Sequence, residues 1–197
     1  MKYKTINLAS HQRTGSHYIA AIISTNFLNN RDYKKIHRGH KLPHIIKHKN
    51  TAYIYTWREF EEVAKSIYTM RQSFGLNNVD SFESFLKNRY CDMWKPIKHP
   101  GINVIDLKGN KRQDPYISPG FRNNKYTPFE WWKFYHDSWA ISEKENKNVI
   151  KVSYNDLMTN FNKTMRVLAK KLGSPKKEFS NIEKQVGWYV KKRKPIT

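Results

Sequence analysis

Acidic residues are scarce in this chain. It contains 16 Asp and Glu against 37 Lys and Arg among 197 residues, which gives a formal net charge of +21 at pH 7. A surface on which one sign of charge predominates attracts anions and responds to salt. The composition therefore favours an anionic partner: a nucleotide, a sulfated or acidic glycan, a nucleic acid or an anionic membrane surface.

Cysteine and long apolar runs are also nearly absent. The single cysteine, Cys91, excludes an internal disulfide and any cysteine-based metal cluster. No stretch approaches the roughly 20 apolar residues that a membrane helix needs. The first residues also lack the apolar core of a secretion signal. We therefore expect no membrane span and a cytoplasmic location.

Strand-like and helix-like segments alternate along the sequence. Thr5–Ser10, Thr51–Trp57 and Asn148–Ser153 are rich in β-branched or aromatic residues, and Lys34–His40 is a weaker strand. Helical apolar spacing follows the three stronger strands, with one helix expected after Asn148–Ser153. Capping residues predict two further helices, one starting with the capping box at Thr127–Glu130 and one at Ser180. This order predicts one α/β domain over residues 1–197, with a central parallel sheet flanked by helices.

Two stretches lie outside this alternation. Residues 92–127 contain four prolines and three glycines, and a long loop inside a compact domain often forms a lid or a binding loop. Residues 191–197 form a basic tail, KKRKPIT. Such a tail either closes over an anionic ligand or stays disordered.

The segment after the first strand has the composition of an anion-binding loop. Gly15 lets the backbone approach an oxyanion, Thr14, Ser16 and His17 offer donors, and Arg13 adds a permanent charge. A helix N-terminus that follows such a turn attracts anions. The alternative is an ordinary strand, turn and helix with no ligand. The pattern GxxxxGK[ST] is missing, so the common nucleoside-triphosphate loop is not indicated.

Polar residues follow the other strands at the same relative place. In open α/β sheets ligands bind beyond the carboxyl ends of the strands. Arg58 follows one strand, with Ser66 eight residues later and a little over two helical turns away. Together they could hold a second phosphate. The alternative pairs Arg58 with Glu62 and leaves Ser66 solvated.

These segments, taken in order, resemble the sulfotransferases that use 3′-phosphoadenosine 5′-phosphosulfate (PAPS), whose sheet is similar to that of P-loop nucleotide hydrolases. The run Gln12–Tyr18 resembles the family loop PKSGTTW. Arg58 and Ser66 match the family's strand-end arginine and the serine eight residues later. Asn148–Leu157 is similar to the family segment NVLxLxYEDL.

The resemblance implies a role for each matching position. Arg13 would contact the sulfate and the bridging oxygen, the rest of the loop would surround the 5′-phosphate, and Arg58 with Ser66 would hold the 3′-phosphate. Tyr18 and Tyr154 would lie against the adenine. The implied cofactor-binding residues are Arg13, Thr14, Gly15, Ser16, His17, Tyr18, Arg58, Ser66 and Tyr154.

The resemblance also implies a catalytic base. Cytosolic members take it from a KxHLP segment, and Arg38–Pro43, RGHKLP, is similar with one extra residue between His40 and the Leu-Pro pair. Imidazole is suited to remove a proton near neutral pH. Related glycan sulfotransferases use a glutamate, so Glu61 and Glu62 remain alternatives to His40. The reaction needs no metal, and no metal ligands are expected.

We therefore predict an enzyme that moves a sulfuryl group from PAPS to a hydroxyl or amine, leaving adenosine 3′,5′-bisphosphate (PAP). The acceptor would be a glycan, a small phenol or a peptide tyrosine. One alternative is a basic nucleic-acid-binding protein, which would not explain polar residues at strand ends. The other is a P-loop-like kinase, disfavoured because no Lys-Ser/Thr pair follows Gly15 and no acidic magnesium ligand ends a strand.

Overall fold

A computed structural model describes residues 1–28, 36–73, 79–89, 104–105, 111–112 and 125–182. The strands are β1 (Thr5–Ser10), β2 (His37–Gly39), β3 (Thr51–Trp57), β4 (Val104–Ile105), β5 (Lys111–Arg112) and β6 (Val149–Ser153). The α-helices are α1 (Ser16–Phe27), α2 (Phe60–Ser73), α3 (Phe82–Lys87), α4 (Pro128–Glu145), α5 (Tyr154–Thr159) and α6 (Phe161–Leu172), and a 3₁₀ turn covers Pro43–Ile45.

The central sheet has the strand order β2-β1-β3-β6, and all of its pairings are parallel. Ser10 is in register with Thr56, and Trp57 is in register with Ser153. Parallel pairing brings the carboxyl ends of the strands to one edge of the sheet. The predicted α/β fold with a parallel sheet and flanking helices is confirmed.

The described residues form two compact units. The first comprises Met1–Glu59 with Tyr135–Thr197 and contains the parallel sheet, and the second comprises Phe60–Phe134. The single domain expected from the sequence stays a prediction.

The sheet of the first unit is buried on both faces. On one face Leu8 and Ile54 pack in a cluster with Ile19 of α1. On the other face Tyr55 and Trp139 stack at a ring-centroid distance of 5.6 Å. Because neighbouring strand residues point to opposite faces, a strand buried on both sides must be apolar almost throughout. This explains the composition of TAYIYTW.

The second unit contains its own apolar cluster. Val63 and Ile67 of α2 lie with the fully buried Phe85 of α3. The start of α4 is the predicted capping box: the Glu130 carboxylate accepts hydrogen bonds from the backbone N–H and the hydroxyl of Thr127, at 2.8 and 3.0 Å. Local capping chemistry therefore identified this helix start correctly.

Two helix predictions differ from the structure. A single helix was expected after β6, but Asn160, with φ −135° and ψ 48°, separates α5 from α6. A capped helix was expected from Ser180, but residues 180–182 are not helical. The spacing of apolar residues in the sequence does not reveal a single non-helical residue between two helices.

Some predictions lie outside the described residues. The loop at residues 92–127 falls mostly there, with only β4, β5 and residues 125–127 described, and the basic tail at 191–197 falls there entirely. Among the described helices, none combines the length and the apolar character needed to cross a membrane.

Candidate functional site

Two residues of the turn between β1 and α1 adopt the left-handed backbone conformation. Arg13 has φ 60° and Gly15 has φ 79°, and Gly15 is the N-cap of α1 without a side-chain cap hydrogen bond. Left-handed backbone is costly for a residue with a side chain, and such strain is concentrated at binding sites. The N-cap residue supplies no side chain to cap the first N–H groups of α1, and such a helix N-terminus favours an anion.

Residues from three strand ends meet at this turn. A Cβ added to Gly15 would lie 2.2 Å from a ring carbon of Tyr154, so only glycine fits beside that ring. The Arg58 guanidinium carbon lies 4.7 Å from the centre of the same ring. Its Nη1 donates to the Arg13 carbonyl oxygen at 3.2 Å. The structure therefore brings Arg13, Gly15, Arg58 and Tyr154 together.

Thr14 anchors the loop from inside. Its side chain is fully buried, and its Oγ1 donates to the carbonyl oxygen of His11 at 2.8 Å while contacting the hydroxyl of Thr56 on β3. A hydroxyl has one proton to donate. The Thr14 hydroxyl is thus committed to the protein and is not available to a ligand.

His40 lies against the start of the loop. Its Nδ1 is 2.6 Å from the carbonyl oxygen of Ser10, the last residue of β1. A carbonyl oxygen can only accept, so Nδ1 carries the proton and Nε2 keeps its lone pair. Although His40 is exposed as a residue, the protein packed around its ring lowers its pKa, and the hydrogen bond to Ser10 opposes part of this shift. A neutral imidazole with an open Nε2 can take up a proton.

Two further histidines are buried beside the loop. His11 lies 6.0 Å from His136 and 5.6 Å from Tyr135 between ring centres. Burial lowers the pKa of His11 to about 3 and that of His136 to about 4, and the proximity of His136 contributes to the lower pKa of His11. Both are therefore neutral at physiological pH, because a buried imidazolium would lose its hydration.

The remaining predicted residues occupy helix positions. Ser16 and His17 open α1 and are half-buried. Tyr18 follows them, its ring edge-on to Tyr154 at 6.0 Å, and its hydroxyl donates to Oδ1 of Asn181 at 2.7 Å. Ser66 is half-buried on α2 and belongs to the second unit. Glu61 and Glu62, the alternative bases, also belong to the second unit, and all of the other predicted residues belong to the first.

Metal ligands are not gathered in the part of the chain that the structure describes. No group of three or more His, Cys, Asp or Glu side chains there could hold a metal ion. Arg13 and Arg58 bring two guanidinium groups to the turn.

A model of the sulfotransferase domain matches residues 25–197. The chain belongs to the sulfotransferase domain family. The match covers most of the sequence but begins after the turn at Arg13–Gly15, so the assignment of that turn depends on its geometry and on the motif. No curated protein matches the sequence.

Solved structures with the same fold include two related proteins. Mouse sulfotransferase SULT7A1, complexed with PAP, is 18% identical at a TM-score of 0.52, over 87% of this chain and 59% of that one. Retinol dehydratase, in complex with androsterone and the inactive cofactor PAP, is 11% identical at a TM-score of 0.51, over 86% of this chain and 60% of that one. This sulfotransferase domain therefore spans about three fifths of the length of these relatives.

Three residues of the site were not predicted from the sequence. Thr56 and His11 each lie at the end of a strand, but nothing in the sequence indicates that Thr14 bonds Thr56 or that His11 is buried. Asn181 contacts Tyr18 from 163 positions away. Only tertiary contacts reveal these partners.

The buried His11 predicts a loss of stability in acid. Below pH 6.5 the unfolded chain binds a proton at His11 that the folded chain, with a pKa of about 3, does not bind. The unfolding free energy should therefore fall as pH drops from 6.5 toward 3. We expect His11→Asn to reduce this fall by about 1 kcal/mol between pH 6 and 5, measured by urea titration. His44→Asn, at an exposed position, is the control. If both variants reduced the fall in unfolding free energy equally, the prediction would be contradicted.

The close approach of Gly15 to the Tyr154 ring predicts that substitutions at these two positions have coupled effects on stability. Gly15→Ala should destabilise the domain by about 1–2 kcal/mol, because the new methyl group would meet the Tyr154 ring and the backbone would stay left-handed. In a Tyr154→Ala background the steric part should disappear, so the loss should be smaller. Chemical denaturation of both single variants and the double variant tests this, with Ser16→Ala as control. Strict additivity would refute the contact.

Proposed function

We propose that this domain transfers a sulfuryl group from PAPS to a hydroxyl or amine acceptor. The observation that carries the proposal is the left-handed turn at Arg13 and Gly15, with Arg58 and Tyr154 packed against it. It supplies backbone donors at a helix N-terminus, two permanent positive charges and an aromatic surface at one place. Membership in the sulfotransferase domain family and the PAP named in both related structures support the same ligand.

The turn fits the phosphosulfate end of this ligand. In the proposal Arg13 contacts the sulfate and its bridging oxygen, while the backbone of Thr14 and Gly15 and the side chains of Ser16 and His17 surround the 5′-phosphate. Thr14 contributes its N–H, because its hydroxyl already bonds the carbonyl of His11. Charge-assisted hydrogen bonds of this kind are shorter and stronger than neutral ones.

The nucleoside end would lie beside Tyr18 and Tyr154, whose rings meet edge to face. Arg58 lies next to Tyr154 and bonds the Arg13 carbonyl. In the proposal it releases that bond and contacts the 3′-phosphate. Ser66 belongs to the second unit, so its proposed part in binding the 3′-phosphate depends on its spacing from Arg58 in the sequence.

His40 is the proposed base. Its Nδ1–H bond to Ser10 directs the lone pair of Nε2 away from β1. Nε2 would take the acceptor proton as the acceptor oxygen or nitrogen bonds to sulfur. The bond from sulfur to the bridging oxygen breaks at the same time, and Arg13 stabilises the charge that develops on the departing phosphate. The bound cosubstrate supplies the activated sulfuryl group, and the chain supplies position, charge and the base.

Ligand stabilisation is the first test. PAP should raise the unfolding free energy by about 2.7 kcal/mol at a concentration 100 times its Kd, whereas ATP with magnesium and a short oligonucleotide should have little effect. Arg58→Ala should weaken PAP binding by about one to two decades, since it removes a charge-assisted bond. Lys170→Ala removes the same charge at an exposed position of α6 and should change the affinity little. Stabilisation by the oligonucleotide alone would refute the proposal and favour nucleic-acid binding, as the net charge of +21 would allow.

Turnover tests the base. We expect His40→Ala to lower kcat by about 10²- to 10⁴-fold, the usual contribution of general base catalysis, while PAP binding stays near that of wild type. Transfer of labelled sulfate from PAPS to 2-naphthol, a tyrosine peptide and an acidic glycan provides the readout. His44→Ala, at an exposed position, is the control. Full turnover by His40→Ala would exclude His40 as the base and favour Glu61 or Glu62 in that role.

A further inference from the structure

Two hydroxyl groups and one carbonyl form a short hydrogen-bond chain beneath the turn between β1 and α1. Thr56 lies on β3, in register with Ser10, the last residue of β1. Its hydroxyl contacts the hydroxyl of Thr14, which in turn bonds the carbonyl oxygen of His11 at 2.8 Å. Thr14 and Thr56 are fully buried. The turn is therefore attached to the neighbouring strand as well as to the strand that it leaves.

The direction of this chain follows from the protons that are available. A carbonyl oxygen can only accept, so the Thr14 hydroxyl gives its one proton to the bond with His11. The hydroxyl of Thr56 must then be the donor to the oxygen of Thr14. Hydrogen bonds in such a series polarise and strengthen each other. Because both side chains are buried, an acceptor that loses its donor here has no bulk water to replace it.

The hydrogen-bond chain encloses the strained residue of the turn. The bond between Thr14 and His11 closes over Gln12 and Arg13, and Arg13 has a left-handed φ of 60°. A residue with a side chain leaves this conformation unless its surroundings hold it there. His11, Gln12 and Thr14 are buried, whereas Arg13 is exposed. The side chain of Arg13 therefore extends from a backbone that is anchored on both sides.

A second contact at Arg13 is given up in the proposed function. In the structure the Nη1 of Arg58 donates to the Arg13 carbonyl oxygen at 3.2 Å. This bond is released when Arg58 contacts the 3′-phosphate. The hydroxyls of Thr14 and Thr56 are assigned to no ligand, so their hydrogen bonds can hold the turn both before and after the ligand binds.

We propose that Thr56 is a positioning residue for Arg13: its hydroxyl, acting through Thr14, keeps the turn in the left-handed form that binds the 5′-phosphate and the sulfate. This inference rests on the proposed function, and it places a determinant of anion affinity on β3, outside the turn itself. Without the Thr56 hydroxyl the free protein would populate relaxed forms of the turn. The affinity would then fall in proportion to the fraction of the protein that stays competent to bind.

Thr56→Val removes the hydroxyl and keeps the shape of the side chain. We expect its Kd for PAP, measured by calorimetry, to rise about fivefold, the usual size of one hydrogen bond. Adenosine 3′-phosphate, which has no 5′-phosphate for the turn, should bind this variant as it binds wild type. A second pair of variants differs by one oxygen atom alone: Thr56→Ser should bind PAP nearly as wild type does, and Thr56→Ala should bind it as weakly as Thr56→Val.

Two further variants of β3 are the controls. Thr5 and Thr51, at the first positions of β1 and β3, form a hydroxyl pair at 2.6 Å. Thr51→Val removes this pair and should leave the Kd for PAP unchanged. Ile54→Val shortens a fully buried side chain, so it should lower the urea midpoint of unfolding without changing the Kd.

Unchanged PAP affinity in Thr56→Val and Thr56→Ala would overturn the inference and leave the proposed function intact. Equal weakening of PAP and adenosine 3′-phosphate would also overturn it, because the effect would then not act through the turn. The same weakening of PAP in Ile54→Val would overturn it as well, since a loss of stability alone would be enough. A wild-type protein that binds neither ligand would defeat the proposed function and the inference with it.

Discussion

The parallel pairing of β1 between β2 and β3 is the constraint on which the site depends. It places the ends of three strands side by side, and the chain leaves each end into a turn or a helix. Ser10 can therefore hold His40 through its carbonyl, and Thr14 can contact Thr56 across neighbouring strands. A one-residue slip in register would move each side chain to the opposite face of the sheet. The pairing thus sets the geometry of the proposed base and of the anion loop together.

Charge is distributed unevenly around this site. The chain as a whole is strongly positive, yet the groups packed beneath the loop are neutral: His11 and His136 keep low pKa values because burial disfavours their charged forms. Positive charge at the turn comes from Arg13 and Arg58, whose guanidinium groups remain charged at all physiological pH values. In the proposed function, the two guanidinium groups attract the anion, and the neutral histidines add no buried charge that would need its own partner.

Local sequence signals predicted much of the fold. Thr51–Trp57 has the predicted bounds because a strand covered on both faces must be apolar and β-branched along its whole length, and β1 likewise agrees. The capping box at Thr127 marked the start of α4 through side chains only three residues apart. The prediction of one helix after β6 was wrong, because the break at Asn160 leaves the apolar spacing almost unchanged. Sequence patterns that involve a few neighbouring residues predicted these elements, whereas a single non-helical residue leaves no such pattern.

The order of the motifs predicted the fold class and the family. Strand ends in a parallel sheet meet at one edge, and the structure brings Arg13, Gly15, Arg58 and Tyr154 together there. Tertiary structure alone decided which groups are free to act. The Thr14 hydroxyl is consumed inside the protein, and Asn181 reaches Tyr18 from the far end of the chain. Burial and hydrogen-bond partners arise from contacts between distant segments. Composition and spacing describe a residue's own chemistry and its near neighbours, so they cannot specify these partners.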